Sequence, residues 1–183
     1  RDQGLDLGVA LNLSAMDLGS GDLPTLLSEL LAEYQIDAGR LILEVTETAV
    51  MRDAKYSLDV LTRLKACGVY LAIDDFGTGY SSLSHLKRLP VDELKIDKSF
   101  VLGMASDGND ATIVRSTIEL AHNMGLRVAA EGVEDGAALC MLKDYKCDMA
   151  QGYLISRPMP ESAMREWLSQ WQAQTLDCTE PTT

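Results

Sequence analysis

Two adjacent carboxylates, Asp74 and Asp75, follow the short β-prone run 69–73 and precede a loop that contains Gly77 and Gly79. Side chains alternate between the faces of a strand, but this rule relaxes at a strand end, so both carboxylates can turn toward one site. Two such acids repel each other and are costly to bury, and a divalent cation held by oxygen ligands relieves both problems. The alternative is that Asp75 caps the turn while Asp74 is solvated, and the pair alone does not decide between the two.

Each predicted strand of this chain ends in polar residues that a strand core would not contain. They are Asn12, Glu44, Asp74 with Asp75, Lys95 with Asp97, Glu131 and Gln151. In a barrel of parallel strands these ends converge on one mouth, which is the usual location of the active site. Burying several charges without a cation is costly, so a ring of them is hard to explain as structural ion pairs alone.

The ligand types indicate a hard cation and phosphoester chemistry. All candidate ligands are oxygens and neither His85 nor His122 lies at a strand end, so Mg²⁺, Mn²⁺ or Ca²⁺ is favoured over zinc or copper. Two metal ions about 3.5–4 Å apart could share a hydroxide and clamp a phosphate oxygen. Lys95 would then neutralise charge on the phosphate or position water, and Glu131 would serve as metal ligand or general base.

The elements that must position these residues alternate strictly between strand and helix. The predicted strands cover residues 9–14, 40–47, 69–73, a segment that follows Pro90 and ends at Asp97, 126–132 and 149–155. The predicted helices run from Leu23 to about Gln35, from the cap Asp53 to Gly68, from the cap Ser81-Ser82 to about Arg88, from about Asn109 to Gly125, over 135–145, and from Glu161 to about Trp171. This alternation is typical of a parallel sheet covered by helices.

The fold class that follows is α/β, a (β/α)8 TIM-like barrel that lacks its first two strands. A closed barrel needs eight strands, and the two that are missing would lie before Arg1. The barrel therefore stays incomplete unless another segment or another copy completes it, and its open edges would invite association. A dinucleotide-binding sheet is disfavoured because no Gly-x-Gly-x-x-Gly follows the first strand.

Composition narrows the possible partners and the compartment. The chain has 183 residues and a net charge of -12, which argues against nonspecific binding to DNA or RNA but not against a phosphorylated ligand held through cations. No apolar run is long enough to span a membrane and no signal peptide opens the chain, so we expect no membrane contact and a cytoplasmic location. The four cysteines show no Cys-x-x-Cys spacing, which favours reduced thiols over zinc.

Six motifs occur in the order that is seen in EAL domains, the bacterial cyclic di-GMP phosphodiesterases, and the chain resembles that family from Val9 to about Trp171. The motifs are Asn12-Leu13-Ser14, Leu43-Glu44-Val45-Thr46-Glu47, Asp74-Asp75-Phe76-Gly77-Thr78-Gly79-Tyr80-Ser81-Ser82, Leu94-Lys95-Ile96-Asp97, Ala130-Glu131-Gly132-Val133-Glu134 and Gln151-Gly152-Tyr153. Any one of these motifs alone would be a weak signal, whereas six in this order are highly specific.

The resemblance implies a role for each matched residue. Asn12, Glu44, Asp74 and Glu131 resemble the ligands of a first metal, and Asp74 with Asp75 would bridge to or hold a second, near Asp97. Lys95 resembles the lysine beside the attacking water, and Glu131 is also a candidate base. Glu47 resembles the glutamate that anchors the loop 76–82, which includes Thr78 and Gly79. Glu134 and Gln151 resemble further residues of the substrate site.

The resemblance also implies the reaction and the partners. The reaction is hydrolysis of one phosphodiester of cyclic di-GMP to linear pGpG, with Mg²⁺ or Mn²⁺ at a two-metal site and inhibition by Ca²⁺. The loop and helix after Asp75 form a homodimer contact in family members, and a sensor or cyclase-type domain would lie upstream. The Glu-Ala-Leu stretch that names the family is absent from residues 1–183, so we expect 1–171 to be a partial domain with weak or no activity alone, followed by a polar tail over 172–183.

Three other functions remain open at this point. A non-catalytic cyclic di-GMP receptor would fit if the missing glutamate is a lost ligand, although the ligand positions within the chain are intact. A Schiff-base lyase could use Lys95 at a strand end, but the surrounding carboxylates disfavour it. A scaffold without chemistry would carry the strand-end acids at a cost in stability.

Overall fold

The computed structural model describes residues 7–79 and 83–170, and within them the strands form one parallel sheet. The strands are β1 (Val9–Leu13), β2 (Leu41–Thr46), β3 (Tyr70–Phe76), β4 (Glu93–Ile96), β5 (Arg127–Glu131) and β6 (Met149–Gln151). They lie side by side in chain order, and each neighbouring pair is parallel. The sheet curls into a half-barrel, which confirms the predicted α/β fold of barrel type.

Helices lie between successive strands and after the last one. They are α1 (Ala15–Leu18), α2 (Leu23–Glu33), α3 (Glu47–Arg52), α4 (Ala54–Ala66), α5 (Leu83–Leu86), α6 (Lys98–Val101), α7 (Gly108–Asn123), α8 (Gly136–Asp144) and α9 (Glu161–Gln170), with a 3₁₀ turn over Ala38–Arg40. As predicted, the Asp53 carboxylate caps α4 by accepting a hydrogen bond from the Tyr56 N–H at 3.1 Å. Gly68 then ends this segment with a φ of 90°.

The hydrophobic core lies between the outer face of the sheet and these helices. Alternate residues of the central strands point outward and are almost completely buried, among them Val45, Leu71 and Leu94. Val60, Leu61 and Leu64 cover them from α4. The opposite, inner face of the sheet is therefore the one that carries the polar residues of the strand ends.

Several predicted bounds differ from those of the structure. β3 continues through Asp74 and Asp75 to Phe76, and β6 ends at Gln151 because residues 152–155 form a turn. The segment predicted as strand through Glu47 instead ends at Thr46, whose hydroxyl accepts a hydrogen bond from the Ala49 N–H at 3.3 Å and caps α3. The predicted cap Ser81-Ser82, the helix end at Trp171 and the tail 172–183 lie outside the described residues.

Cysteine chemistry and membrane contact were also predicted from the sequence. Cys67 and Cys147 are free thiols, as expected, whereas Cys140 is disulfide-bonded, so the prediction of reduced thiols is wrong for Cys140. Burial raises the pKa of the Cys147 thiol to about 11, which keeps this thiol protonated near neutral pH. Among the described helices, none has the length and apolar character needed to cross a bilayer.

Candidate active site

A backbone irregularity at the end of β3 brings the two adjacent carboxylates to the same side. Asp75 has a φ of 55°, in the left-handed region that Asp tolerates better than most residues. The pairing of β3 with β4 shifts register between Ile73 and Phe76. As a result, carboxylate oxygens of Asp74, Asp75 and Glu131 all lie within 4.8 Å of one another.

Lys95 stands at the centre of the acidic side chains. Its Nζ lies 2.9 Å from Glu44 Oε1, 3.3 Å from Asp74 Oδ1 and 2.6 Å from Glu131 Oε1. The lysine side chain is only 4% exposed and the three carboxylates are largely buried. Four sequence-predicted residues from β2, β3, β4 and β5 therefore meet at one point.

The electrostatics of this cluster follow from burial and charge. Burial opposes the charged form of Lys95, but hydrogen bonds to Glu131 and Glu44 outweigh it and raise the lysine pKa above its ordinary value. Burial raises the pKa of Glu131, an effect that the hydrogen bond from Lys95 partly offsets. A carboxylate with a raised pKa is a stronger base, while Lys95 remains a fixed positive charge.

Asp97 extends the cluster from the end of β4. Burial raises the pKa of Asp75, and the charges of Asp74 and Asp97 add to this effect. For Asp97 burial acts in the same direction, but hydrogen bonds from Ser99 and from Asp75 outweigh it and hold the pKa of Asp97 below its ordinary value. Asp97 also caps α6, since its carboxylate accepts a hydrogen bond from the Ser99 N–H at 2.9 Å.

Glu47 reaches the loop after β3. It is 3% exposed, and its Oε2 accepts a hydrogen bond from the Gly77 N–H at 3.1 Å. A Cβ on Gly79 would lie 3.0 Å from Glu47 Oε1, so the loop backbone passes directly over this carboxylate. The hydroxyl of Thr78 turns back within the loop and donates a hydrogen bond to the Asp75 carbonyl at 2.8 Å.

Three of the sequence-predicted residues share no hydrogen bond or ion pair with the cluster in the described part of the chain. Asn12 is exposed and pairs in register with Glu44, which places it at the rim of the same face. Gln151 is exposed and pairs in register with Glu131. Glu134 is exposed in the loop that follows β5.

Sequence reasoning missed two charged residues of the inner face. Glu93 is buried, and its Oε2 lies 3.3 Å from Nη2 of Arg127. The signal was available, because Glu93 lies two residues before Lys95 and alternate residues of a strand share a face. The site was expected at the strand ends. Glu93 and Arg127 lie before those ends, so neither was predicted as a site residue.

The donor set fits a hard divalent cation. Three converging carboxylates offer only oxygen, and oxygen-rich sites are those that Mg²⁺ and Mn²⁺ prefer. A cation would also relieve the repulsion between Asp74 and Asp75, which adds to the effect of burial in raising the pKa of Asp75.

Comparison with known proteins shows which family and which relatives the chain resembles. A family model described as the EAL domain matches residues 1–158. The bifunctional diguanylate cyclase/cyclic di-GMP phosphodiesterase MucR of Pseudomonas aeruginosa is 46% identical over 155 residues, which are 85% of this chain and 23% of MucR. An uncharacterised protein of Mycobacterium tuberculosis is 45% identical over 166 residues, 91% of this chain and 27% of that protein. The chain thus spans about a quarter of the length of these relatives.

Solved structures resemble the chain closely. A structure described as the P. aeruginosa MucR phosphodiesterase in complex with c-di-GMP has a TM-score of 0.85 and 44% identity, covering 89% of this chain and 66% of that one. Klebsiella pneumoniae BlrP1, described as a manganese and c-di-GMP complex, has a TM-score of 0.77 and 36% identity, covering 82% of this chain and 39% of that one.

Proposed function

Because this chain belongs to the EAL domain family, we propose that it is the larger part of a phosphodiesterase domain that hydrolyses cyclic di-GMP to linear pGpG. The observation that supports this most directly is the cluster of Asp74, Asp75 and Glu131 beside a buried lysine. Relatives described as c-di-GMP phosphodiesterases and structures described as c-di-GMP complexes support the choice of substrate.

We propose Mg²⁺ or Mn²⁺ as the cation, with Glu44, Asp74, Asp75 and Glu131 as the principal ligands and Asn12 and Asp97 at the edges of the site. When bound, such ions lower the pKa of water and neutralise charge on a phosphate. Lys95 contacts Glu44, Asp74 and Glu131 and so brings together three of these proposed ligands from three different strands.

Within the proposed reaction, water adds to phosphorus and the bond from phosphorus to the ribose 3′ oxygen breaks, which opens the ring. Glu131 would take the proton from water. The Lys95 ammonium would stabilise the negative charge that grows on the phosphate oxygens. Gln151, Glu134, Thr78 and Gly79 would contact the substrate, and Glu47 would anchor the loop through Gly77.

The proposed cytoplasmic location, the homodimer through α5 and its preceding loop, and the upstream sensor or cyclase domain remain predictions. Residues 80–82 of that loop lie outside the described part of the chain. Inhibition by Ca²⁺ and weak activity of residues 1–183 alone also remain predictions.

Hydrolysis by the intact protein tests the proposal. We expect Mg²⁺-dependent conversion of cyclic di-GMP to pGpG, followed by chromatography, that EDTA stops and added Mg²⁺ or Mn²⁺ restores. Asp74→Asn should reduce kcat by about 100-fold or more, since a metal ligand is lost while shape is kept. Asp59→Asn, an exposed position on α4, is the matched control.

The outcomes separate the competing functions. Wild-type turnover in Asp74→Asn would contradict the metal assignment. Tight binding of cyclic di-GMP without turnover would instead identify a receptor, and trapping of a carbonyl substrate on Lys95 by borohydride would identify a lyase.

A further inference from the structure

One more carboxylate, Glu93, lies on the same face of the sheet as the cluster, toward the N-terminal strand ends. Glu93 and Lys95 are both in β4, and alternate residues of a strand share a face, so both point to the inner face of the sheet. Glu93 is 4% exposed and Lys95 is 3% exposed. Glu44, Asp74 and Glu131 contact the lysine ammonium toward the mouth, and the charge of Glu93 acts on it over a longer distance from the opposite side.

Glu93 is not fully satisfied by its surroundings. Nη2 of Arg127 approaches its Oε2 at 3.3 Å, yet this oxygen has no hydrogen-bond partner in the part of the chain that the structure describes. The guanidinium of Arg127 is about half exposed and also stacks on the ring of Tyr70, 5.0 Å from the ring centre. A buried carboxylate with an unsatisfied oxygen is costly, and an apolar residue would be more stable at this position.

Neighbouring strands leave room for the two charged side chains. Ala72 of β3 pairs in register with Glu93, and Ala129 of β5 pairs in register with Lys95. Both alanines are buried, so their small size creates space on the inner face rather than an opening to solvent. Each of the two charged side chains therefore has a small neighbour on one adjoining strand, Ala72 for Glu93 and Ala129 for Lys95.

Lys95 and the proposed cations compete for the same oxygen atoms. Each of the three carboxylates in contact with Nζ is one that we propose as a metal ligand. When those carboxylates bind cations, they neutralise less of the lysine charge, and the ammonium is repelled by the ions. A counter-charge that no cation uses must then hold the ammonium in place.

We propose that Glu93 is a positioning residue for Lys95, which supplies this counter-charge from the side opposite the metal site and so leaves Glu44, Asp74 and Glu131 free to bind cations. This inference rests on the proposed function. It assigns Glu93 a role that acts through the lysine and not through contact with substrate.

Calorimetric titration of Mn²⁺ into the intact, metal-free protein tests the proposal without any turnover. Glu93→Gln should raise the Kd for Mn²⁺ about tenfold, because outer residues that orient a site usually contribute that much to metal affinity. Asp92→Asn makes the same chemical change one residue away, where the carboxylate pairs with Lys65 at 2.7 Å, and should leave the Kd unchanged.

A double-mutant cycle shows whether Glu93 acts through the lysine. In a Lys95→Met background, Glu93→Gln should change the Kd for Mn²⁺ by less than about threefold, since the residue it positions is gone. The same tenfold loss in both backgrounds would overturn the proposal, and so would an unchanged Kd in the wild-type background.

Two further measurements keep the result interpretable. Thermal unfolding of the metal-free proteins shows whether Glu93→Gln folds as the wild type does. If Glu93→Gln does not fold, Glu93→Asp replaces it, and a Kd within about twofold of wild type is expected because the charge is kept. A wild-type protein that does not bind Mn²⁺ would overturn the proposed function itself, whereas binding without any effect of Glu93 overturns only this inference.

Discussion

Glu131 and Lys95 are joined by the shortest ion pair of the cluster, 2.6 Å between Nζ and Oε1, yet their proposed roles differ. Lys95 is held by three carboxylates and keeps its charge, which suits electrostatic stabilisation. Glu131 has a raised pKa because of burial, which suits proton transfer. At the scale of single residues, the site therefore combines a fixed charge with a group that can exchange a proton.

Glu131→Gln tests this division of roles. We expect kcat for cyclic di-GMP to fall by about 100-fold or more while the KM changes by only a few-fold, because a general base contributes in the transition state. Single-turnover and steady-state kinetics measure the two effects separately. Glu119→Gln, in an exposed ion pair on α7, is the control, and an unchanged kcat in Glu131→Gln would assign the base elsewhere.

The sequence indicated which charged side chains would lie together more fully than it indicated their contacts. The strand-end pattern identified the acids and Lys95, because strand alternation and a parallel sheet restrict where such residues can lie. The buried Glu93 and its pairing with Arg127 were not predicted. Both depend on local register and on the sizes of Ala72 and Ala129, which no pattern along a single strand reveals.

At the scale of elements, the sequence predicted the long helices and the six strands of the described region, and it erred at short segments and strand ends. Helices α1, α3 and α6 have six residues or fewer, too short for a periodic apolar pattern. The extension of β3 to Phe76 requires the left-handed Asp75, and β-propensity carries no information about such a residue.

The loops after β5 and β6 form one packed unit that fixes the ends of both strands. Val133 donates a backbone hydrogen bond to Gln151 at 3.0 Å and accepts one from Leu154 at 3.0 Å. A Cβ on Gly152 would lie 2.1 Å from the Val133 carbonyl oxygen, so only glycine fits between these backbones.

Gly152→Ala should disrupt the packing between the loops after β5 and β6. We expect the free energy of unfolding to fall by about 2 kcal/mol or more, because backbone atoms must move to admit the methyl group. Urea denaturation measures this change. Gly136→Ala, at a position where a Cβ would meet no atom within 4 Å, should be neutral or slightly stabilising, and equal losses in both variants would contradict the packing argument.

At the scale of the whole molecule, one carboxylate ties the last strands of the sheet to the longest described helix. Asp148 Oδ2 accepts a hydrogen bond from the Val128 N–H at 2.8 Å and lies 2.9 Å from Nε2 of His122 on α7. Burial acts to raise the pKa of Asp148, but the hydrogen bonds from His122 and Val128 outweigh it and hold the pKa below 3.8.

The pH dependence of stability follows from this shift. A carboxylate whose pKa is lower in the folded state stabilises the fold above its unfolded pKa, and this contribution is lost as the pH falls through the lower, folded value. Wild type should therefore be more stable than Asp148→Asn above pH 3.8, and the difference should shrink as the pH falls further. Urea denaturation across this range measures it, and a constant difference would contradict the assignment.

The left-handed backbone of Asp75 determines which substitutions can probe the proposed metal site at all. Alanine at this position would impose a conformational penalty together with the loss of a ligand, and a β-branched residue would impose a larger one. In an alanine scan across residues 74–76, a defect caused by the backbone would thus be mistaken for the loss of a proposed metal ligand. Asparagine tolerates the same backbone and matches the shape of aspartate, which makes Asp75→Asn the variant whose phenotype reports on chemistry alone.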